Sequence, residues 1–143
     1  MTIEEALAAS GLAGSTDASY SPLPSPEATE TLGRALAESL DADVVCYWDD
    51  DDLALAHVVA RELGARLVQG LDAQGVAELE GEVNAGDRVV VVASLLRNKH
   101  HLLAVRAVVA ARGGEVVGVT VCQGSTAVRD GAGDLPVRAL VEA

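Results

Sequence analysis

Aromatic side chains are almost missing from this 143-residue sequence, which contains no phenylalanine, one tryptophan and two tyrosines. A hydrophobic core must therefore be built from valine, leucine and alanine, in a chain that is 50% hydrophobic. Small and β-branched aliphatic residues suit a parallel sheet that is covered by helices on both faces. The length is sufficient for one domain with its own core, and we predict a single domain over residues 1–143.

Cysteine is scarce, and long apolar runs are lacking. Cys46 and Cys122 both fall within predicted buried strands, and neither belongs to a CxxC pair. We therefore expect reduced thiols that act as small hydrophobic residues. No apolar run reaches the length of a membrane span, and no signal-peptide pattern marks the N-terminus. These absences predict a cytoplasmic protein with no membrane partner.

Basic residues are also few. The sequence has 10 lysines and arginines against 22 acidic residues, which gives a formal net charge of −12. A negative field of this size repels the phosphate backbone of nucleic acids. We therefore predict no nucleic-acid partner.

The most informative stretch is residues 86–125, GDRVVVVASLLRNKHHLLAVRAVVAARGGEVVGVTVCQGS. Four consecutive valines in residues 88–93 are typical of a buried strand, and residues 94–101 form a polar loop. Apolar residues then recur at helical spacing up to Gly113-Gly114, and residues 115–122 form a second strand. This is a right-handed parallel βαβ unit. Because ligands bind such sheets where strands end and helices begin, the loop is the first candidate site.

The other predicted elements alternate in the same way. A helix over residues 2–11 and a Ser/Pro-rich arm make up residues 1–26. Further helices are predicted over residues 26–40, 53–63 and 71–79, strands over residues 43–48, 66–68 and 137–141, and loops over residues 14–26 and 123–134. The alternation predicts an α/β fold with a mainly parallel central sheet flanked by helices.

Several segments resemble type I phosphoribosyltransferases, and most of all orotate phosphoribosyltransferase. They are LGRALAE, DADVV, ARELGARLV, GDRVVVV, AARGGEVVGVTV and LPVRALV, in that order. The resemblance covers residues 31–141, and residues 3–21 are similar, more faintly, to the family's N-terminal hood. It implies a phosphoribosyltransferase-like fold with a small hood-like segment, a phosphate-containing ligand, and a homodimer or pairing with a related subunit.

The loop after the central strand departs from the family. There the resemblance implies two acidic residues that hold ribose hydroxyls, but this sequence has Ala93 and Ser94. A loop of threonine and glycine should follow and cradle the 5-phosphate. This sequence instead has Arg97, Asn98, Lys99, His100 and His101. The left-handed conformations that glycine supplies are lost, so we expect no phosphate nest of the family's form.

Two further elements depart as well. The glycine-rich pyrophosphate loop of the family is replaced by Asp49, Asp50, Asp51 and Asp52, whose charges repel a pyrophosphate. A long basic flap that closes over substrate is implied between residues 68 and 87, but residues 69–86 contain no lysine or arginine. Loss of all three elements argues for a degenerate enzyme without transferase activity, retained as a binding, regulatory or subunit-pairing module. The alternative is a divergent transferase that uses Mg²⁺ on the aspartates and the basic loop for phosphate.

The sequence allows more than one role for most of these residues. The aspartates fit a helix N-terminus, a Mg²⁺ site or contact with a cationic partner. Arg97 and Lys99 could pair with these aspartates or hold an anion, while the adjacent histidines have poor spacing for chelating a metal. Trp48 could either fill the ligand pocket that the resemblance implies or stack on a planar ligand. The candidate ligand-binding residues are Ser94, Arg97, Asn98, Lys99, His100, His101 and Trp48.

Overall fold

A six-stranded sheet with the strand order β3-β2-β1-β4-β5-β6 lies at the centre of the described chain. The structure is a computed structural model, and it describes residues 1–12 and 17–142. The strands are β1 (Val44–Tyr47), β2 (Arg66–Ala73), β3 (Val76–Glu80), β4 (Arg88–Leu95), β5 (Glu115–Gln123) and β6 (Val137–Val141). Every neighbouring pair is parallel except β2 and β3, which are antiparallel. The predicted α/β fold with a mainly parallel sheet is confirmed.

Helices cover both faces of the sheet. They are α1 (Ile3–Ala9), α2 (Pro26–Ala37), α3 (Leu53–Leu63), α4 (Lys99–Ala111) and α5 (Thr126–Ala132). Leu36 of α2 and Leu55 of α3 belong to one buried cluster, together with some of the strand side chains. Leu102 and Val109 of α4 belong to a second buried cluster, together with a different set of strand side chains. Burial on both faces explains why the central strands β1 and β4 are rich in valine and show no polar alternation.

Local sequence signals place the helix starts. Thr2 and Glu5 form a reciprocal capping box at α1, with bonds of 3.1 and 3.2 Å. The hydroxyl of Ser25 accepts the N–H of Ala28 at 3.1 Å, and Pro26 occupies the first position of α2. The segment that precedes α2 packs on it through a buried hydrogen bond between Tyr20 and Thr29. The predicted arm therefore lies against the body of the protein where it is described, although residues 14–16 of that arm fall outside the described residues.

The helix predicted over residues 71–79 is wrong. These residues belong to a β2–β3 hairpin whose turn has positive φ at both central residues, 56° at Gln74 and 83° at Gly75. Two positive φ values define the tight turn that matches the twist of paired strands. The side chain of Asp72 accepts the N–H of Gly75 at 2.8 Å and holds this turn. The predicted strand at residues 66–68 is correspondingly too short.

The loop predicted over residues 123–134 is also wrong, because it contains helix α5. Ser125 is its N-cap, and its hydroxyl accepts the N–H of Val128 at 3.1 Å. The glycines and polar residues of this stretch are typical of a loop, so the short helix was not predicted. Strand β4 also extends to Leu95, beyond the predicted end at residue 93, so that Ser94 is part of the strand. Within the described residues, no helix is long and apolar enough to cross a membrane.

Candidate functional site

The two unusual loops meet at the carboxyl edge of the sheet. Strands β1 and β4 are parallel neighbours, so the chain that leaves Tyr47 and the chain that leaves Leu95 emerge side by side. Between them lies a small polar cavity of about 70 Å³. Its lining consists of Ser19, Tyr20, Asp49, Asp51, Asp52, Ser94, Leu95 and Arg97. The predicted proximity of the aspartate loop and the basic loop is therefore present, and residues 19 and 20 of the N-terminal segment complete the site.

Trp48 follows β1 and packs on the side of the sheet that α4 covers. Its indole ring stacks on the imidazole of His101, with ring centroids 4.4 Å apart and ring planes inclined by 14°. A Cβ atom added at Gly70 would come within 2.5 Å of the indole Cε3 and 3.0 Å of Val105 Cγ2. Trp48 thus sits between β2 and α4. Its indole ring therefore contacts other side chains of the protein, and stacking on a planar ligand stays a prediction.

The four aspartates do not form one cluster. Asp49, Asp50 and Asp51 are exposed, whereas Asp52 is only 1% exposed. Residues Asp50–Asp52 make a single 3₁₀ turn that runs into α3, and neither that turn nor α3 has a side-chain cap. The carboxylate of Asp50 accepts a hydrogen bond from Gln69 Nε2 at 2.7 Å. The aspartates therefore differ in role, and one of them belongs to the interior.

Asp52 is a buried carboxyl group with an unsatisfied oxygen. Its Oδ1 has no hydrogen-bond partner among the described residues. Burial raises the pKa of Asp52 to about 6, against the opposing effect of hydrogen bonding from the Ser94 side chain and backbone. The charges of Asp49 and Asp51 raise it further. Burial is also the main reason that the pKa of the neighbouring Tyr20 rises to about 12. The floor of the cavity therefore disfavours negative charge.

The basic loop is held in place by its own chain. The Asn98 side chain caps α4 by accepting the N–H of His100 at 2.9 Å. Ser125 donates to the carbonyl of Leu96 at 2.7 Å, and Arg97 donates to the carbonyl of Ala18. Lys99 and His100 are exposed.

The predicted pairing of the basic loop with the aspartates is not formed. In the described part of the chain, no ion pair joins Arg97 or Lys99 to Asp49, Asp50, Asp51 or Asp52. The guanidinium of Arg97 lies at the cavity but bonds to the N-terminal segment instead. Metal binding at the aspartates gains no geometric support either, because residues 1–12 and 17–142 contain no group of three or more His, Cys, Asp or Glu side chains placed to hold a metal ion.

A larger cleft, of about 590 Å³, lies beside the aspartate loop and was not predicted. It runs between the start of α2 and the first half of α3. Its lining consists of Pro22, Pro26, Thr29, Glu30, Asp50, Asp51, Leu53, Ala54, His57 and Val58. Sequence patterns predict the two helices but not the width of the gap between them, so no local sequence pattern could have predicted this cleft. Exposed His57 lies in it, as a surface helix residue.

The backbone is similar to solved phosphoribosyltransferases. An adenine phosphoribosyltransferase from Thermoanaerobacter pseudethanolicus superposes with a TM-score of 0.78 at 17% identity, over 99% of this chain and 100% of that chain. A second one, from Rhodothermus marinus, gives 0.77 at 18% identity, over 99% and 98%. The orotate phosphoribosyltransferase of Mycobacterium tuberculosis, in complex with 5-phospho-α-D-ribosyl 1-diphosphate, gives 0.64 at 25% identity, over 82% and 75%. No family model and no curated protein match the sequence.

Proposed function

We propose that this protein, which has the type I phosphoribosyltransferase fold, does not transfer phosphoribosyl groups and instead acts as a binding, regulatory or subunit-pairing module. The observation that carries the proposal is that the protein's own side chains occupy the carboxyl edge of the sheet. Trp48 packs on His101, and the cavity between the aspartate loop and the basic loop is about 70 Å³. That cavity has room for a few water molecules, whereas ligand pockets are usually several hundred Å³. Wider clefts lie to either side of it, about 590 Å³ beside the aspartate loop and about 280 Å³ between the ends of β4 and β5 and the start of α5.

The start of α4 supports the same conclusion. A phosphate binds a helix N-terminus through free backbone N–H groups, and glycines let the loop wrap closely around it. Here Asn98 already occupies the N–H of His100, and no residue from Ser94 to His101 has a positive φ. A phosphate would have to displace the Asn98 amide and remodel a loop that Ser125 and Ala18 hold.

Charge at the opposite loop also disfavours a diphosphate. Exposed Asp49 and Asp51 line the cavity together with the buried Asp52. Each close pair of like charges costs about 1 kcal/mol even in bulk water, and more at a partly buried site. A ligand for this edge would be small or would carry positive charge toward the aspartates.

The alternative function is a divergent phosphoribosyltransferase in which Mg²⁺ bridges the aspartates to a phosphate ligand held by Arg97 and Lys99. One observation favours it: the unsatisfied Oδ1 of Asp52 lies in the wall of a polar cavity next to Arg97. The residues that would hold the metal are Asp49, Asp51 and Asp52, which carry oxygen donors of the kind that Mg²⁺ prefers but would have to move together, because no three such side chains in the described residues are placed to hold an ion. We place either activity in the cytoplasm, as composition predicts.

Titration calorimetry with phosphoribosyl pyrophosphate, with and without Mg²⁺, separates the two functions. We expect no binding heat in either condition and no turnover with orotate or adenine. Micromolar binding that requires Mg²⁺, equivalent to about 8 kcal/mol, would contradict the proposal and support the enzyme. In that case Asp51→Ala and Lys99→Ala should each abolish binding, while Asp130→Asn, an exposed change on α5, should not.

A further inference from the structure

The cleft between α2 and α3 has the size of a small-molecule site. Its volume is about 590 Å³, and ligand pockets usually measure several hundred Å³. Most of its wall is apolar, and the side chains that make the wall so are Pro22, Pro26, Leu53, Ala54 and Val58. An apolar wall with a few polar groups is the usual composition of a pocket that binds a small organic molecule.

Close packing of the two helices fixes the walls of this cleft. A Cβ atom added at Gly33 of α2 would lie 2.5 Å from Cβ and Cγ1 of Val58 on α3, so the helices touch at that point. An ion pair between Arg61 of α3 and Glu30 of α2 joins the same two helices. The shape of the cleft is therefore set by the fold itself, as it is in most small-molecule sites.

Apolar surface stays uncovered inside the cleft. Leu53 is the first residue of α3, and 47% of its surface is exposed. Pro26 at the start of α2 is exposed, and Pro22 is partly exposed. Single exposed apolar residues are normal on a protein surface, whereas these three line one concave space. A ligand with an apolar body would bury all three at once, which is favourable.

The charges of the lining decide which apolar ligand suits the cleft. Asp50, Asp51 and Glu30 are its three carboxylates. Glu30 is already paired with Arg34 and Arg61, but no ion pair among the described residues reaches Asp50 or Asp51. No lysine or arginine of residues 1–12 and 17–142 lines the cleft. Two carboxylates without a counter-ion therefore border an apolar space, and they repel an anionic ligand.

We propose that this cleft binds a small organic cation with an apolar body, of the primary alkylamine class. The alkyl chain packs on Leu53, Pro22 and Pro26, while the ammonium group lies beside Asp50 and Asp51. An alcohol of the same length keeps the apolar contact but loses the charge attraction. The proposal does not rest on the absence of transferase activity, because the cleft shares only Asp51 with the 70 Å³ cavity at the edge of the sheet.

An NMR titration of the ¹⁵N-labelled full chain tests the site with hexylamine, hexan-1-ol, hexanoate and ethylamine. At about pH 8 an alkylamine is charged like a lysine side chain, whereas an ordinary histidine is neutral. We expect hexylamine to give saturable shifts at the amides of residues 27–30 and 50–58, with an affinity about tenfold or more above that of hexan-1-ol or ethylamine. Hexanoate should give no saturable shift. Mg²⁺ and phosphoribosyl pyrophosphate are left out, so this result is independent of the test of transferase function.

The same titration can overturn the proposal in three ways. Equal affinity for hexan-1-ol would mean that the carboxylates play no part. Equal affinity for ethylamine would mean that the amine is drawn by the net charge of −12 and not by the cleft. Hexylamine shifts that fail to saturate, or that map to another part of the chain, would show that the cleft is not the site.

Two variants separate the charge from the apolar contact. Asp51→Asn should weaken hexylamine by about fivefold and leave hexan-1-ol unchanged, because it removes one charge. Leu53→Ala should weaken both probes. Both side chains are exposed, so both variants should fold. The matched controls are Asp130→Asn on α5 and Leu103→Ala on α4, where Leu103 is 42% exposed. If either control weakens hexylamine as much as its counterpart does, the proposal is wrong.

Discussion

Trp48 and His101 stack with their ring planes only 14° apart, and this contact ties the end of one strand to the start of a helix. Trp48 follows β1, while His101 lies in the first turn of α4. These are the two places in a parallel α/β sheet where a ligand would normally enter. The stack joins these two places within the protein, so removing either ring should change stability.

His101→Ala should lower the free energy of unfolding by about 0.5–1.5 kcal/mol, the usual contribution of an aromatic pair. It should also change the emission of Trp48, which is the only tryptophan of the chain. Urea unfolding followed by tryptophan fluorescence measures both effects. His100→Ala is the matched control, since His100 is exposed and adjacent in sequence. Equal effects of the two variants would mean that the stack contributes nothing specific.

Asp52→Asn should stabilise the protein near neutral pH and have little effect at acidic pH. Burial raises the pKa of Asp52 from its ordinary 3.8 to about 6 in the folded protein. The folded state therefore holds a proton that the unfolded chain releases between about pH 4 and 6. Stability from this proton is complete at low pH and is lost as the pH rises through about 6. The loss amounts to about 2–3 kcal/mol above that range.

The measurement for Asp52→Asn is the free energy of unfolding in urea at about pH 3 and at about pH 7.5, because the first lies below the ordinary pKa of 3.8 and the second lies above about 6. The asparagine side chain resembles the protonated acid, so the gain should appear at the higher pH alone. Asp130→Asn, an exposed change on α5, should show no such difference. A gain of the same size at both values would mean that charge at Asp52 is not the cause.

Gly70→Ala should destabilise the fold by about 1–3 kcal/mol, because it overpacks a filled region. Its Cβ would lie 2.5 Å from the indole of Trp48 and 3.0 Å from Val105. Gly118→Ala in β5 is the control, since its nearest neighbour would be the Pro136 carbonyl at an ordinary 3.5 Å. The urea concentration at the midpoint of unfolding should be clearly lower for Gly70→Ala than for Gly118→Ala. If Gly118→Ala costs as much, the effect belongs to strand glycines in general and not to the position of Trp48.

The long strands and helices with a regular hydrophobic pattern could be predicted from the sequence, whereas the tight turn and the short helix could not. The valine run of β4 and the glycine-ended helix after it could be placed from sequence because each spans many residues of one pattern. The hairpin turn at Gln74 was missed because glutamine rarely takes a positive φ, so only Gly75 signalled a turn. Helix α5 was missed because two glycines and several polar residues surround a single serine cap.

The candidate site was predictable in location but not in its bonds. The order of strands brings the aspartate loop and the basic loop to the same edge, which follows from the sequence pattern. The pairing of Arg97 with Ala18 depends on where the N-terminal segment lies, and no local pattern encodes that. The split between buried Asp52 and its three exposed neighbours likewise depends on the 3₁₀ turn at the start of α3.

Asn98→Gly should convert the start of α4 into a weak phosphate site. The Asn98 side chain now occupies the N–H of His100, at 2.9 Å, and its removal frees that donor beside Lys99. Glycine is a tolerated N-cap, so the cost in stability is only a few tenths of a kcal/mol. Thermal unfolding in phosphate and in chloride of equal ionic strength should show that phosphate raises the Tm of this variant more than that of the wild type.

The double variant Asn98→Gly with Lys99→Ala is the control for this gain. It keeps the freed N–H but lacks the nearby ammonium group, so the extra stabilisation by phosphate should shrink. If phosphate stabilises the wild type as strongly as Asn98→Gly, the Asn98 amide does not block the helix start. The protein's own side chains would then not occupy the phosphate position, and the transferase alternative would gain support.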